Sequence, residues 1–173
     1  MKHWYMLAVV GKDKPGIVAK LTQELFQLGS NLGEASMSRL GDAFTIMLMV
    51  EHDGDQVDLE KALQPVAETF ALHIHIDPIE GGLHHHIEPN VAIRVFGADK
   101  AGIVAKVTKI MADHSLNITS LETEVAGTEQ APLYVMLIEA CSSLEIDVLQ
   151  EKMQLLNDSG FDVKVSALDI VLG

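Results

Sequence analysis

The chain carries one motif twice. Residues 9–22 read VVGKDKPGIVAKLT and residues 95–108 read VFGADKAGIVAKVT. Gly97 follows Gly11 by 86 residues, and nine of the twelve residues from Gly11 to Thr22 recur in the second copy. Length alone, at 173 residues, is compatible with one domain or two. The repeat decides for two: a first domain over residues 1–79, a linker over 80–89 and a second domain over 90–173. Each is large enough to bury a modest core.

Around each copy the hydrophobic pattern changes period in the same order. Trp4–Val10 is an apolar run of strand length ended by Gly11, and Ile17, Leu21, Leu25 and Leu28 fall on one helical face that Gly29 closes. NLGEASMSRL (31–40) reads as a polar strand, Gly41-Asp42 as a tight turn and FTIMLMVE (44–51) as an apolar strand. Leu59, Leu63, Val66 and Phe70 mark a second helical face, and Pro65 inside it predicts a kink or a break. HIHID (73–77) then alternates as a strand. The second half repeats the order with VAIRVFG, a helical face of Ile103, Val107, Ile110 and Met111, then NITSLETEV and LYVMLIEA. A face of Ile146, Leu149, Met153 and Leu156, ended by Gly160, leads into FDVKVSAL. Aligning Glu51 with Glu139 makes the second hairpin loop two residues longer. The predicted fold class is α+β: two ferredoxin-like βαββαβ units, each a four-stranded antiparallel sheet with the third strand between the first two and two helices on one face. One sheet face and one edge per unit stay uncovered, which invites pairing between the units or a homo-oligomer of the chain.

Composition narrows the function. Twelve Lys and Arg against 25 Asp and Glu give a formal charge of −13, and such a surface repels the phosphates that a direct nucleic-acid binder has to neutralise. Trp4, Tyr5, Tyr134 and five Phe supply no base-stacking platform. Cys141 is the only cysteine, so an internal disulfide is ruled out and a reducing compartment fits. At the end of LYVMLIEAC it reads as a buried small hydrophobe and not a nucleophile. The opening MKHWYMLAVVG is too short to span a bilayer and lacks a cleavage pattern, so a soluble, cytoplasmic protein without membrane contact is expected. His73, His75, His84, His85 and His86 crowd together, yet no cysteine or clustered carboxylate completes a ligand set, and no metal site is expected. The chain has no Gly-x-Ser-x-Gly elbow and no Cys–His pairing, so neither catalytic residues nor a cofactor are expected. Met47 and Met49 read as core packing.

The repeated motif lies where a first strand ends and a first helix begins. Such a turn presents unpaired N–H groups and a positive dipole end, which suits a carboxylate or a phosphate. It also reads as a plain helix start: Asp13 and Lys14 lead in, Pro15 is pre-set for the first turn and Gly16 eases the corner. It lacks the Gly-Lys-Ser/Thr of a P-loop and the glycine spacing of a dinucleotide fingerprint.

An apolar strand, then G-x-D-K-P-G-I-V, an apolar helix and Asn31-Leu32 opening the next strand closely resemble the ACT domain of amino-acid-responsive regulators. The second copy matches from Gly97 to Val104 and at Asn117-Ile118, with Ala101 in place of Pro15. The resemblance covers essentially the whole chain. It implies that a small amino acid, with glycine the first candidate, binds at interfaces between ACT units. By position its site residues are Asp13, Gly16, Ile17, Val18 and Asn31, and Asp99, Gly102, Ile103, Val104 and Asn117. The same resemblance implies that backbone N–H groups near Gly16 or Gly102 take the carboxylate and that Asp13 or Asp99 takes the ammonium. A free-standing pair of such units further resembles the tandem ACT regulators that repress glycine cleavage genes. With the charge of −13, this implies a non-enzymatic regulator that works through a protein partner, a DNA-binding transcriptional regulator, and not on DNA itself. The alternative is a regulatory subunit that controls a separate enzyme of amino-acid metabolism.

Overall fold

The structure, a computed structural model, describes residues 2–80, 88–98, 101–128 and 131–168. The chain divides into two compact units, Met1–His85 and His86–Gly173. The first runs β1 (His3–Lys12), α1 (Ile17–Gln27), β2 (Asn31–Leu40), β3 (Ala43–His52), α2 (Gln56–Phe70) and β4 (His73–Ile79). Its strands lie in the order β2-β3-β1-β4, every neighbour antiparallel. The second runs β5 (Val91–Ala98), α3 (Ile103–Asp113), β6 (Asn117–Thr128), β7 (Ala131–Cys141), α4 (Ile146–Met153), a 3-10 segment (Gln154–Ser159) and β8 (Phe161–Ala167), with the sheet order β6-β7-β5-β8. These are the two βαββαβ units that the sequence predicts. Most of the expected linker, including His84, His85 and His86, lies outside the described residues.

Each core forms where the period-2 face of a sheet meets the period-3.6 face of a helix. In the first unit Leu7, Val9, Phe44, Ile46, Leu48 and Val50 are buried against Ile17, Leu21 and Leu25 of α1 and Leu59, Leu63 and Val66 of α2. The second core repeats this with Ile93, Val95, Met136 and Ile138 against Val107, Met111, Leu149 and Met153. Fully burying one such aliphatic side chain stabilises a unit by about 1.5–3 kcal/mol. The two satellites of the predicted faces, Leu28 and Phe70, are only partly buried.

Four local expectations change. Helix α2 runs through Pro65 as one element, so it is not two short pieces. Pro65 is exposed, so the carbonyl one turn back that loses its donor is on the side that water can serve. The last helix stays α-helical only to Met153 and tightens to a 3-10 segment before Gly160, while still burying Leu156. Met47 is 48% exposed although Met49, on the same outer face of β3, is 2% exposed. The Trp4 ring accounts for the contrast, since it crosses Gly33 beside the Met49 Cβ. Cys141 is half-buried, its Sγ 3.1 Å from the Glu88 carbonyl oxygen.

The hairpins also differ by more than the sequence suggests. Asn31 faces Glu51 while Asn117 faces Cys141, so the third strand of the second unit lies 90 residues on from that of the first, against 86 for the other strands of the pair. The second hairpin is therefore four residues longer, and Glu139 faces Ser120 instead of standing where Glu51 stands. Its extra residues extend the β6–β7 ladder. Both hairpins keep one irregularity at the same place: the register shifts by one residue between Leu32 and Ala35 of β2 and between Ile118 and Ser120 of β6.

Candidate functional site

The first corner is built by close packing. Gly11 sits where the chain leaving α2 passes β1, and a Cβ there would lie 2.6 Å from Leu72 Cδ2 and 3.4 Å from the Ala71 carbonyl. Gly97 is held the same way, because a Cβ would collide with the Phe161 ring. Beyond Gly11, the Asp13 N–H donates to the Asp42 carbonyl at 2.8 Å, which ties the β1–α1 loop to the β2–β3 turn. Gly16 then turns the chain into α1 with φ 92°, a left-handed conformation that a side chain would strain.

The start of α1 is left open. Gly16 offers no side chain as a cap, the first turn holds no acidic residue, and the Gly16 carbonyl accepts from Lys20 to begin the helix. The N–H groups of Ile17, Val18 and Ala19 thus lack intrahelical partners at the positive end of the helix. Helix α3 starts identically, with Gly102 at φ 86°, no cap and no acid in its first turn. By contrast α2 is capped by Asp55, whose side chain accepts from the Asp58 N–H at 3.1 Å, and α4 has Asp147 in its first turn. A Cβ at Gly16 or Gly102 would meet nothing within 4 Å. Among the described residues both glycine corners are thus uncrowded, and unpaired N–H groups at a helix start suit a carboxylate.

The side chains around them are less alike. Ile17 and Ile103 are core, so only their backbone can serve a ligand, while Val18 and Val104 are exposed. Asp13 is held in an ion pair, Arg39 Nη2 to Asp13 Oδ2 at 2.8 Å. Arg39 faces Phe44 in the ladder; the matching position of β6 faces Tyr134 and is Val125. Asp99 lies outside the described residues.

The Asn residues stand apart from these corners. Asn31 opens β2 opposite Glu51, which in turn faces Trp4, whereas the corner follows Lys12 at the other end of β1. Eight residue steps along β1, from Trp4 to Lys12, separate those ends, about 27 Å at about 3.4 Å per residue. Within one unit the fold does not bring Asn31 and Gly16 together, and Asn117 and Gly102 are separated in the same way. Asn31 Nδ2 donates to Glu51 Oε2 at 3.2 Å, and Lys2 Nζ reaches the same oxygen at 2.7 Å. The Lys2 hydrogen bond first, and the Asn31 one second, hold the Glu51 carboxyl below its ordinary value. Asn117 instead faces Cys141 and lines a depression of about 540 Å³ between α3 and β6.

Sequence reasoning missed three groups. Arg39 carried no motif, and only the ladder register reveals that it reaches Asp13. Lys2 and Glu51 are 49 residues apart and meet only through strand pairing. The third is buried: His52 Nδ1 and Ser30 Oγ are 3.0 Å apart, and His52 Nε2 has no hydrogen-bond partner among the described residues. At the corresponding places the second unit has Leu116 and Ser142. Among the described residues no three His, Cys, Asp or Glu side chains are arranged to hold a metal, and His73 and His75 are exposed on β4. No helix among them is long and apolar enough to cross a membrane.

Comparison with known proteins gives these corners a context. Residues 4–77 and residues 91–157 each match the ACT domain family. The glycine cleavage system transcriptional repressor of Escherichia coli is 24% identical over 149 residues, covering 84% of this chain and 78% of its own. A UPF0237 protein of Lactococcus lactis is 36% identical over 72 residues, 41% of this chain and 83% of its own. A solved structure of an unknown protein from Galdieria sulphuraria, 22% identical, covers 98% of this chain and 100% of its own with a TM-score of 0.78, which shows a shared fold. The open corners, the paired βαββαβ units and both family matches lead to one conclusion: the chain belongs to the ACT domain family, as two ACT domains in tandem.

Proposed function

We propose that this chain is a non-enzymatic, amino-acid-responsive regulator that represses glycine cleavage genes through a DNA-binding protein partner. The observation that supports it most directly is the pair of helix starts at Gly16 and Gly102 without a side-chain cap, each with an uncrowded glycine corner among the described residues. Each offers backbone N–H groups to an α-carboxylate, and Gly at the corner leaves room for one. The similarity to the Escherichia coli repressor over 149 residues supports the choice of pathway. The charge of −13 supports action through a protein instead of on DNA. Because Asn31 and Gly16 lie at opposite ends of one sheet, a ligand that uses both kinds of residue needs a second unit to complete its site. Asp13, Gly16, Ile17, Val18 and Asn31 with Asp99, Gly102, Ile103, Val104 and Asn117 are the residues proposed.

A thermal-shift panel of the amino acids, glycine and serine included, tests this reading. A ligand that binds the native state raises the melting temperature, with a stabilisation that grows as the logarithm of its concentration above Kd. We expect a shift with a small amino acid and its loss when Gly16 or Gly102 is replaced by Val. No shift with any amino acid, with or without a partner, would refute the sensing role.

A further inference from the structure

The two units treat their edge strands differently. In the second, Gln150 of α4 donates through Nε2 to the Val163 carbonyl at 3.0 Å and accepts at Oε1 from the Val165 N–H at 2.7 Å. These are outward-facing backbone groups of β8, an edge of its sheet, so one side-chain amide stands in for a neighbouring strand. In the first unit the same groups belong to Ile74 and Ile76 of β4. Val9 faces Ile74 and Leu7 faces Ile76, as Val95 faces Val163 and Ile93 faces Val165.

The helix position that carries Gln150 carries Glu60 in the first unit, just as Leu59 and Leu149 fill matching places in the two cores. A carboxylate has no N–H to give the Ile74 carbonyl, and Glu60 Oε1 accepts instead from Gln56 at 2.7 Å. Among the described residues the outward carbonyl of Ile74 and the outward N–H of Ile76 have no partner. Beside them a depression of about 340 Å³ opens between α2 and β4, lined by Leu63, Leu72 and Ile76 together with Glu60 and His73.

We infer that the β4 edge of the first unit docks one extended segment of a partner protein, which pairs with Ile74 and Ile76, sets an apolar side chain in the depression and brings a Lys or Arg to Glu60. Charge selects this occupant. Glu60 flanks the edge in a chain of net charge −13, while Asp77 is bonded to His75 at 3.0 Å; this favours a cationic strand, whereas a second copy would set like charges against each other. Pro78, the next outward-facing position of β4, has no N–H and stops the ladder there, which suits a short segment. The inference rests on the reading that the chain acts through a protein partner. Its test needs neither that partner nor an amino acid, so the two can fail separately.

The full chain, labelled with nitrogen-15, is titrated with a capped hexapeptide of alternating valine and lysine, and with one of alternating valine and glutamate as a control. Amide shifts and hydrogen exchange at Ile76 report docking, and circular dichroism confirms that each variant is folded. The lysine peptide is expected to shift and protect the Ile76 amide. Glu60→Gln, which supplies the amide that closes β8, is expected to weaken binding about tenfold by losing the charge pair and blocking the edge. Gln150→Glu is expected to speed exchange at Val165 and so open the other edge. No change at Ile76, equal binding to Glu60→Gln, or equal binding of the glutamate peptide would overturn the inference. So would protection of Ile76 in the protein alone that rises with concentration alongside a dimer mass, since a second copy would then be the occupant.

Discussion

The first unit pairs polar side chains at places where the second has, for at least one member of each pair, an apolar or uncharged residue. Arg39 reaches Asp13 where the second unit has Val125, Glu51 joins Lys2 and Asn31 where it has Cys141, and His52 meets Ser30 where it has Ser142 and Leu116. Tyr5, whose hydroxyl donates to the Gly54 carbonyl at 2.8 Å, stands where the second unit has Val91. The helix starts and cores are shared while their surroundings have diverged. A common backbone feature therefore stands in two electrostatic settings, and the setting, not the corner, distinguishes the units.

The largest test of that comparison is in the cores. Leu59→Ala and Leu149→Ala each remove a fully buried side chain, and each is expected to cost about 2–5 kcal/mol. Hydrogen exchange under mild denaturant should show protection lost first in the unit that carries the change. Equal loss in both units from either variant would mean that they unfold as one and that the comparison has no energetic basis.

A smaller difference is expected at the two close-packed glycines. Gly97→Ala presses on the Phe161 ring, which is rigid, while Gly11→Ala presses mainly on the flexible end of Leu72. We expect about 1–3 kcal/mol for the first and less for the second, measured by urea unfolding. A larger cost at Gly11 would break the assignment.

Alkaline pH should separate the units next. Burial, and after it the charges of Asp55 and Asp58, raise the Tyr5 phenol above its ordinary value of 10.0. A raised value means that the folded state holds its proton longer than the unfolded chain does. The contribution is complete below pH 10 and is lost as pH rises through the raised value. Hydrogen exchange between pH 9 and pH 11, taken as an approximate range about the ordinary phenol value, should show the first unit loosening before the second. Tyr5→Phe should abolish that order and cost about 1 kcal/mol at neutral pH. Earlier loss of the second unit would contradict the role given to Tyr5.

The smallest effects are at the exposed pairs. Arg39→Val places at the first corner the residue that the second has at the matching position, Val125, and should change stability by only about 0–1 kcal/mol, so a change in amino-acid affinity in that variant would be read as local. Glu51, held below its ordinary value, contributes above about pH 4.5, and that contribution is lost as pH falls through the lowered value. Glu51→Gln should remove this acid dependence from the Asn31 end alone.

Much of this architecture was legible in the sequence because it rests on periodicity. The faces Ile17–Leu21–Leu25 and Ile103–Val107–Met111, the alternation in β1 and β5, and the repeated glycines needed only local rules. The hairpin offset was not legible, because four extra residues spread over two strands leave no insertion to see and Glu139 offered a false match for Glu51. That α2 continues past Pro65 was not legible, because the exposure that makes the proline tolerable is a tertiary fact. For the site, the open helix starts could be read from Gly16 and Gly102. The separation of Asn31 from Gly16, the Arg39 pair and the Gln150 plug depend on strand order and register, which the local pattern does not encode.

The register shift shared by β2 and β6 has a consequence for descent. A side chain can drift by one substitution, but an extra residue within a ladder cannot leave without turning every following side chain to the wrong face. Between Leu32 and Ala35, and again between Ile118 and Ser120, that residue persists while the chemistry around it has changed from one unit to the other. The duplication is thus recorded more durably in where the backbone skips a beat than in the side chains that now set the halves apart.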